Sequence, residues 1–180
     1  MNLEGQESTL PIGILLAMAD VLDKYISLPP TEANDNANRF GGYVTVIEFD
    51  PNYPQDITRY RLIVSARCGA PSPDKSLKYR QLADEKAFRL LGHLIFGHLT
   101  SRESSDPSIE KYPGAIVADG YVFSFSGLPA DFDEAVCAVV AVFLGLLNRE
   151  QLLAIVERTK NPHILEFGNL FEDLQKLLAE

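Results

Sequence analysis

The sequence predicts an α+β fold, an antiparallel sheet flanked by helices, and two stretches indicate it most directly. Residues 115–118 and 121–125 are β-favouring runs joined by Asp119-Gly120. This dipeptide is a strong hairpin signal, because a type I′ turn needs positive φ at both central positions. Residues 132–147 form a helical pattern with no polar stripe, and such a helix has to be buried. Together they describe the centre of a sheet-plus-helix domain.

The first half of the chain adds two helices and two strands. Ser8 or Thr9 can cap a first helix that ends before Pro29-Pro30. Its apolar stripe, at three- and four-residue steps, is Ile14, Leu15, Met18, Leu22, Tyr25 and Ile26. Residues 43–49 and 59–67 are rich in β-branched and aromatic side chains, which predicts strands. A longer helical pattern covers residues 75–99. We expect a break near Gly92 or Gly97, since glycine weakens a helix.

The inner side of that second long helix is predicted from its large apolar residues. These are Leu82, Phe88, Leu91, Leu94 and Ile95, followed by His98.

The second half completes the order α-β-β-α-β-β-α and adds a C-terminal helical extension. Asp131 and Glu134 have the spacing of a capping box at the start of the buried helix. Asn161-Pro162 separates two further helical patterns, at 149–160 and 164–178. We therefore predict one sandwich domain over residues 1–148. Residues 149–180 are a helical tail that packs on this domain or on a partner subunit.

Composition excludes several classes of partner. Sixteen basic and 25 acidic residues give a net charge of −9, which disfavours binding to nucleic acid or to an anionic membrane. The longest nearly uncharged run, 135–148, is shorter than the ~20 residues of a membrane span. An acidic N-terminus and two isolated cysteines, Cys68 and Cys137, predict a cytoplasmic protein with free, buried thiols. A small molecule or another protein is the expected partner.

Few residues are candidates for a binding site. Arg59, Arg61 and Arg67 alternate on the second strand and either recognise an oxyanion or form a solvated face paired with carboxylates. We expect them opposite Tyr60, Leu62, Val64 and Ala66. His98 is either an axial ligand or acid/base group, or a packed histidine at a helix end. The sequence contains no recognisable catalytic or metal-binding motif.

Several short motifs resemble one known family. They are Arg67-Cys68-Gly69-Ala70-Pro71, Lys86-Ala87, Pro113-Gly114-Ala115-Ile116, Ser126-Gly127 and Asp133-Glu134-Ala135. Over residues 10–147 the chain resembles haem-binding and so-called haem-degrading accessory proteins, including those of glycolate-utilisation operons and the C-terminal domain of propanediol-utilisation cobalamin enzymes. The resemblance implies a profilin-like sandwich, homo-oligomeric assembly, and a tetrapyrrole such as haem or a small metabolite as ligand. The chain departs from the family in its single glycine, Gly114, before the third strand, and in the extra residues 50–58 and 149–180.

Three functional hypotheses follow. The first is a non-catalytic small-molecule binding or sensing protein, with His98, Arg61, Arg67 and Tyr112 as ligand-binding residues and a tetrapyrrole as one candidate ligand. The second is a homo-oligomeric scaffold that uses its C-terminal helix. The third is an enzyme acting on a small anionic metabolite, for which the sequence offers no paired nucleophile and base.

Overall fold

The protein has the predicted α+β architecture. A computed structural model describes residues 9–179, apart from the side chain of Asp173. Its single sheet is antiparallel, with the strand order β2-β1-β4-β3. The strands are β1 (Gly41–Glu48), β2 (Arg61–Gly69), β3 (Ala115–Ala118) and β4 (Tyr121–Ser126).

Helices cover both faces of this sheet. They are α1 (Leu10–Ile26), α2 (Ser76–His93), α3 (Ala130–Phe143), α4 (Arg149–Thr159), α5 (His163–Gly168) and α6 (Glu172–Ala179). On one face α1 and α3 pack against Val44, Phe123 and Phe125 in the main core. On the other face α2 packs against Ile47 and Val122 in a smaller core.

The central hairpin and the buried helix are confirmed. Asp119 and Gly120 join β3 to β4 with φ values of 41° and 79°, the left-handed conformations that a type I′ turn requires. From Phe132 to Ala141 every residue of α3 is buried. The helix ends at Phe143, earlier than predicted, and Gly145 follows with a φ of 69°.

The predicted alternation along β2 is confirmed from Val64 to Arg67 and is wrong before Ile63, because the strand contains a bulge. Val64 lies opposite Val46, but Ile47 lies opposite Leu62, so Ile63 is the extra residue. A bulge of this kind exchanges the two faces of a strand. Leu62 therefore lies on the α2 side of the sheet and is 59% exposed, whereas Val64 is buried in the main core.

The predicted inner side of α2 is also partly wrong. Small residues, Ala83 and Ala87, pack on the sheet together with Leu90 and Leu91, whereas Phe88 is 57% exposed. Small side chains let the helix backbone approach the strands closely, so the largest apolar residues did not mark the buried side. The break after α2 agrees with the prediction: a 3-10 turn, Leu94–Phe96, ends at Gly97 with a φ of 74°.

The predicted helix caps are not formed. Thr9 is the N-cap of α1 but makes no side-chain cap hydrogen bond, and Ser8 lies outside the described residues. Helix α3 starts at Ala130 after Pro129, one residue before Asp131, and has no side-chain cap either. Asp131 and Glu134 instead pair with Arg102, so charge pairing rather than capping explains these two acids.

The C-terminal extension packs on the rest of the chain. It contains three helices, because residues 169–171 interrupt the predicted helix 164–178. Asn148 and Gln151 form a capping box at the start of α4. Phe167, Phe171 and Leu174 are buried in the main core with α1 and α3. Most of the apolar stripe of the tail is thus used inside the chain.

No helix within residues 9–179 is both long and apolar enough to cross a membrane.

Two leucines of the tail provide a matched test of this packing. Leu174 is fully buried, whereas Leu170 is 43% exposed. We expect Leu174→Ala to lower the free energy of unfolding by about 2–5 kcal/mol, the usual cost of deleting a buried leucine side chain. Leu170→Ala should cost less than about 1 kcal/mol. Urea unfolding of both variants measures the difference, and equal losses would contradict the packing of the tail on α3.

Candidate functional site

A cleft of about 410 Å³ lies where β4 ends and α3 begins, beside the first half of α2. Its volume falls in the range of small-molecule sites. The lining residues come from the loop before β1, from α2, and from the segment that joins β4 to α3. They are Arg39, Lys75, Lys78, Tyr79, Leu82, Lys86, Tyr112, Ser126, Gly127, Leu128, Pro129, Ala130 and Asp133.

Four of the thirteen described lining residues are cationic. Arg39, Lys75, Lys78 and Lys86 line the cleft, and Asp133 is the one carboxylate in the part of the lining that the structure describes. Three of the four cations pair with a carboxylate of Asp35, Glu110 or Asp133, so the excess of positive charge is small. It nevertheless has the opposite sign to the net charge of −9 of the chain, and a local positive potential attracts anions.

Helix α2 and its N-cap supply five of the thirteen described lining residues, all from one face of the helix. Lys75 precedes its first turn, and Lys78, Tyr79, Leu82 and Lys86 follow at helical spacing. Residues three and four apart share a helix face. From its N-terminal end, this face of the helix therefore presents two lysines, then a tyrosine and a leucine, and then a third lysine.

The inner lysine forms a buried ion pair. Lys86 Nζ lies 2.7 Å from Asp133 Oδ2 and donates a second hydrogen bond to the Phe125 carbonyl oxygen at 2.9 Å. The two side chains are 1% and 3% exposed. Asp133 Oδ1 accepts a hydrogen bond from the Leu128 backbone N–H at 2.8 Å. These contacts join α2, the end of β4 and the start of α3.

Burial and pairing act in opposite directions on Asp133. Burial raises the pKa of its carboxyl group from 3.8 to about 6, although the positive charge of Lys86 and the hydrogen bonds lower it. The desolvation effect is the larger one. The carboxylate therefore depends on Lys86 to stay ionised near neutral pH.

Gly114 makes room for this pair. A Cβ atom at this position would lie 2.7 Å from Lys86 Nζ and 2.8 Å from Asp133 Cβ, and its φ is +131°. Both the space and the backbone conformation require glycine. Lys86, Gly114, Gly127 and Asp133 all belong to the motifs of the resemblance described above, and they lie together around the cleft.

The outer cations are more exposed. Lys78 pairs with Glu110 at 2.6 Å, and the lysine side chain is 53% exposed. Arg39 lies 3.0 Å from both Asp35 Oδ2 and the Leu128 carbonyl oxygen. Exposed pairs of this type are weak, so these cations can exchange a protein partner for a ligand at low cost.

The start of α3 also faces the cleft. Pro129 and Ala130 line it, and α3 has no side-chain cap. Uncapped N–H groups at a helix start and the helix dipole both favour negative charge. They add to the attraction that the lysines and Arg39 produce.

A second charged network lies outside the cleft. Arg102 Nη2 is 2.9 Å from Glu134 Oε2 and also binds Asp131. Asn161 Nδ2 donates to Glu134 Oε2 at 3.1 Å and to the Asp131 carbonyl oxygen at 2.7 Å. Burial raises the pKa of the Glu134 carboxyl group against the opposing effect of Arg102. This network attaches the tail to α3.

The structure brings one of the four predicted ligand-binding residues to the cleft. Tyr112 lines it. Arg61 lies at the opposite end of β2 from Arg67 and binds Glu48 at 2.7 Å, while Arg67 is exposed. His98 lies beyond the C-terminal end of α2, with its ring stacked on that of His93 at a centroid distance of 5.1 Å.

None of the four cations of the cleft was predicted from the sequence as a ligand-binding residue. Lys86 and Asp133 lie in motifs of the resemblance, and no motif contains Arg39, Lys75 or Lys78. A lysine between Ala83, Ala87 and Leu90 on an otherwise buried helix side was an available signal. Charged residues are rarely fully buried without a partner.

No protein-family model, curated protein or solved structure matches this chain. The resemblance to the haem-binding accessory proteins stays a prediction.

Replacing Lys86 with methionine tests the ion pair. We expect Lys86→Met to lower the free energy of unfolding by about 3–5 kcal/mol at pH 8, because it leaves a buried carboxylate without its cation. The pKa of Asp133 should then rise above about 6. A raised folded-state pKa means that stability falls as pH rises from the unfolded value of 3.8 through the folded value.

The difference in free energy of unfolding between wild type and Lys86→Met should therefore be smaller at pH 5 than at pH 8. Urea unfolding at both pH values measures it. Lys78→Met, at an exposed lysine of the same cleft, is the control and should change stability by less than about 1 kcal/mol. If Lys86→Met lowers the free energy of unfolding by the same amount at both pH values, the loss does not come from an unpaired Asp133 carboxylate, and the proposed ion pair is contradicted.

Proposed function

We propose that this protein binds a small anionic molecule in the cleft between α2 and the start of α3. One observation supports this most directly: four cationic residues and one carboxylate line a cavity of about 410 Å³ in a chain of net charge −9. In a chain with an excess of acidic residues, four cations around one concave site are not expected from composition alone. Recognition of an anion explains why they lie together.

The electrostatic conditions favour such a ligand. Lys78 and Arg39 hold exposed carboxylate partners that a ligand can replace, and Lys75 lies beside them. A partly enclosed site weakens screening by water and salt, so each cation attracts a ligand more strongly than it would on an open surface. The start of α3 adds its dipole to the same field.

The remaining lining suits an organic ligand rather than a bare ion. Tyr79, Leu82 and Tyr112 lie among the cations. Aromatic and apolar side chains around a few placed polar groups are typical of small-molecule sites. The ligand therefore has a carbon framework as well as a negative charge.

A tetrapyrrole with carboxylate groups belongs to this ligand class, but the cleft offers its metal no histidine. Among residues 9–179, no histidine, cysteine or methionine lines the cleft, and His98 lies elsewhere. The proposal therefore assigns no axial ligand to the chain and includes no chemistry on a bound metal.

Binding is a better account than catalysis or scaffolding. Lys86 and Asp133, the groups of the cleft best suited to proton transfer, are buried and bound to each other. Much of the apolar stripe of the tail packs on its own domain, which removes the main argument for a scaffold built on the last helix. Homo-oligomerisation remains a separate proposal from the resemblance, and the two cysteines without a disulfide support a cytoplasmic location.

Binding of citrate and of inorganic pyrophosphate tests the proposal. Isothermal titration at low ionic strength should give one site per chain, with an affinity that falls as salt is added. The double variant Lys75→Gln/Lys78→Gln should bind roughly 2- to 30-fold more weakly, because exposed charge pairs contribute about 0.2–1 kcal/mol each.

The matched control is Lys24→Gln/Arg80→Gln. It removes the same charge from two exposed residues outside the cleft, one of them on α2 itself. Its affinity should stay within about twofold of wild type. Failure of both anions to bind, or an equal loss in the control, would contradict the proposed function.

A further inference from the structure

We infer that Glu110 is a built-in competitor of the ligand: its carboxylate binds Lys78, and an anion that binds at this lysine has to displace it. This inference rests on the proposed function and adds what limits the affinity of the site. The carboxylate of Glu110, its backbone conformation and the fixed ends of its segment all contribute to the competition.

The Glu110 carboxylate lies where an acid group of a ligand would meet Lys78. Lys78 lines the cleft, and its Nζ atom donates a hydrogen bond to Glu110 Oε1 at 2.6 Å. Tyr112, two residues further along the chain, also lines the cleft. The segment that carries Glu110 therefore borders the proposed binding site.

This segment is anchored on both sides of Glu110. Asp106 and Lys111 exchange two backbone hydrogen bonds, of 2.8 and 3.0 Å, which close a short turn. Arg89 of α2 donates to the Tyr112 carbonyl oxygen at 2.6 Å, and the arginine side chain is 5% exposed. A hydrogen bond from a charged, buried donor is among the stronger ones. Glu110 is thus presented to Lys78 from a fixed base.

The backbone at Glu110 is unusual for a glutamate. The residue follows the 3-10 turn Pro107–Ile109 with a φ of 59°. This is the left-handed region, which glycine and asparagine adopt more easily than other residues. The turn alone would favour one of those two residues. The contact with a lysine of the cleft explains why a longer, charged side chain stands there.

An attached carboxylate competes effectively with a dissolved one. A group on a short tether acts as if it were present at a concentration on the order of millimolar. A ligand carboxylate makes the same kind of contact with Lys78 as Glu110 does, so the exchange of one for the other gains little. Glu110 therefore lowers the affinity for every anion that uses Lys78.

The exchange needs no movement of the anchored backbone. The side chains of Lys78 and Glu110 are 53% and 62% exposed, so the glutamate can rotate into water while the turn and the bond from Arg89 stay in place. Surface ion pairs of this type are weak. The competition is therefore reversible and lowers the affinity by a small factor.

Glu110→Gln tests the competition, because glutamine keeps the length of the side chain and removes its charge. Isothermal titration with citrate and with inorganic pyrophosphate, in about 0.1 M salt, should give roughly two- to fivefold tighter binding than wild type, the range expected from one exposed ion pair. The matched control is Glu157→Gln, at an exposed residue of α4 outside the cleft. It changes the net charge equally, and its affinity should stay within about 1.5-fold of wild type, because salt screens exposed charges.

A second pair of variants shows whether the gain acts through Lys78. Lys78→Gln and Lys78→Gln/Glu110→Gln both lack the lysine that Glu110 binds. Their affinities should differ by less than about 1.5-fold, because the effects of the two substitutions are coupled when the residues interact. Urea unfolding of each variant checks that all of them are folded.

Each outcome has a distinct meaning. Equal affinities of wild type and Glu110→Gln, or an equal gain in Glu157→Gln, would overturn the inference while the cleft remains an anion site. A gain of the same size in the Lys78→Gln background would also overturn it, since Glu110 would then act as a distant charge and not as an occupant of Lys78. If neither wild type nor Glu110→Gln binds either anion at any ionic strength, the proposed function fails and the inference fails with it.

Discussion

A buried lysine is the constraint on which both the sheet–helix junction and the cleft depend. Lys86 comes from α2 on one face of the sheet, and Asp133 comes from α3 on the other side. Their contact, with the hydrogen bonds to Phe125 and Leu128, fixes where the two helices meet the end of β4. Removing either partner leaves an unpaired buried charge. The same pair lines the cleft that we propose as the ligand site, so packing and recognition share one interaction.

Local sequence signals predicted most of the fold. The Asp119-Gly120 turn and the uniformly apolar α3 follow from short-range rules, and the structure has both. The errors came from effects that depend on neighbouring elements. The bulge at Ile63 exchanges the faces of β2, and no residue in that strand signals it. Ala87 rather than Phe88 faces the sheet, because close helix–sheet packing selects small side chains, which hydrophobicity alone does not mark.

The cleft was less predictable than the fold, because it is made from residues far apart in the chain. Arg39, Lys78 and Asp133 approach one another only after the sheet has formed and α2 and α3 have packed on it. Charged residues of this kind are usually solvated, so each of them alone carries no signal. The arginines of β2 were visible in the sequence because they alternate, yet Arg61 pairs with Glu48 and Arg67 is exposed near the other end of the strand, and neither lines the cleft.

A double-mutant cycle on the buried pair tests the central claim most directly. The free energies of unfolding of wild type, Lys86→Met, Asp133→Asn and the double variant at pH 8 give the coupling energy between the two residues. We expect a coupling of at least about 2 kcal/mol, with the double variant more stable than Lys86→Met alone, because the double variant no longer buries a lone carboxylate. Additive losses, within about 0.5 kcal/mol, would mean that Lys86 and Asp133 do not interact, and neither the junction nor the lining of the cleft would be as described.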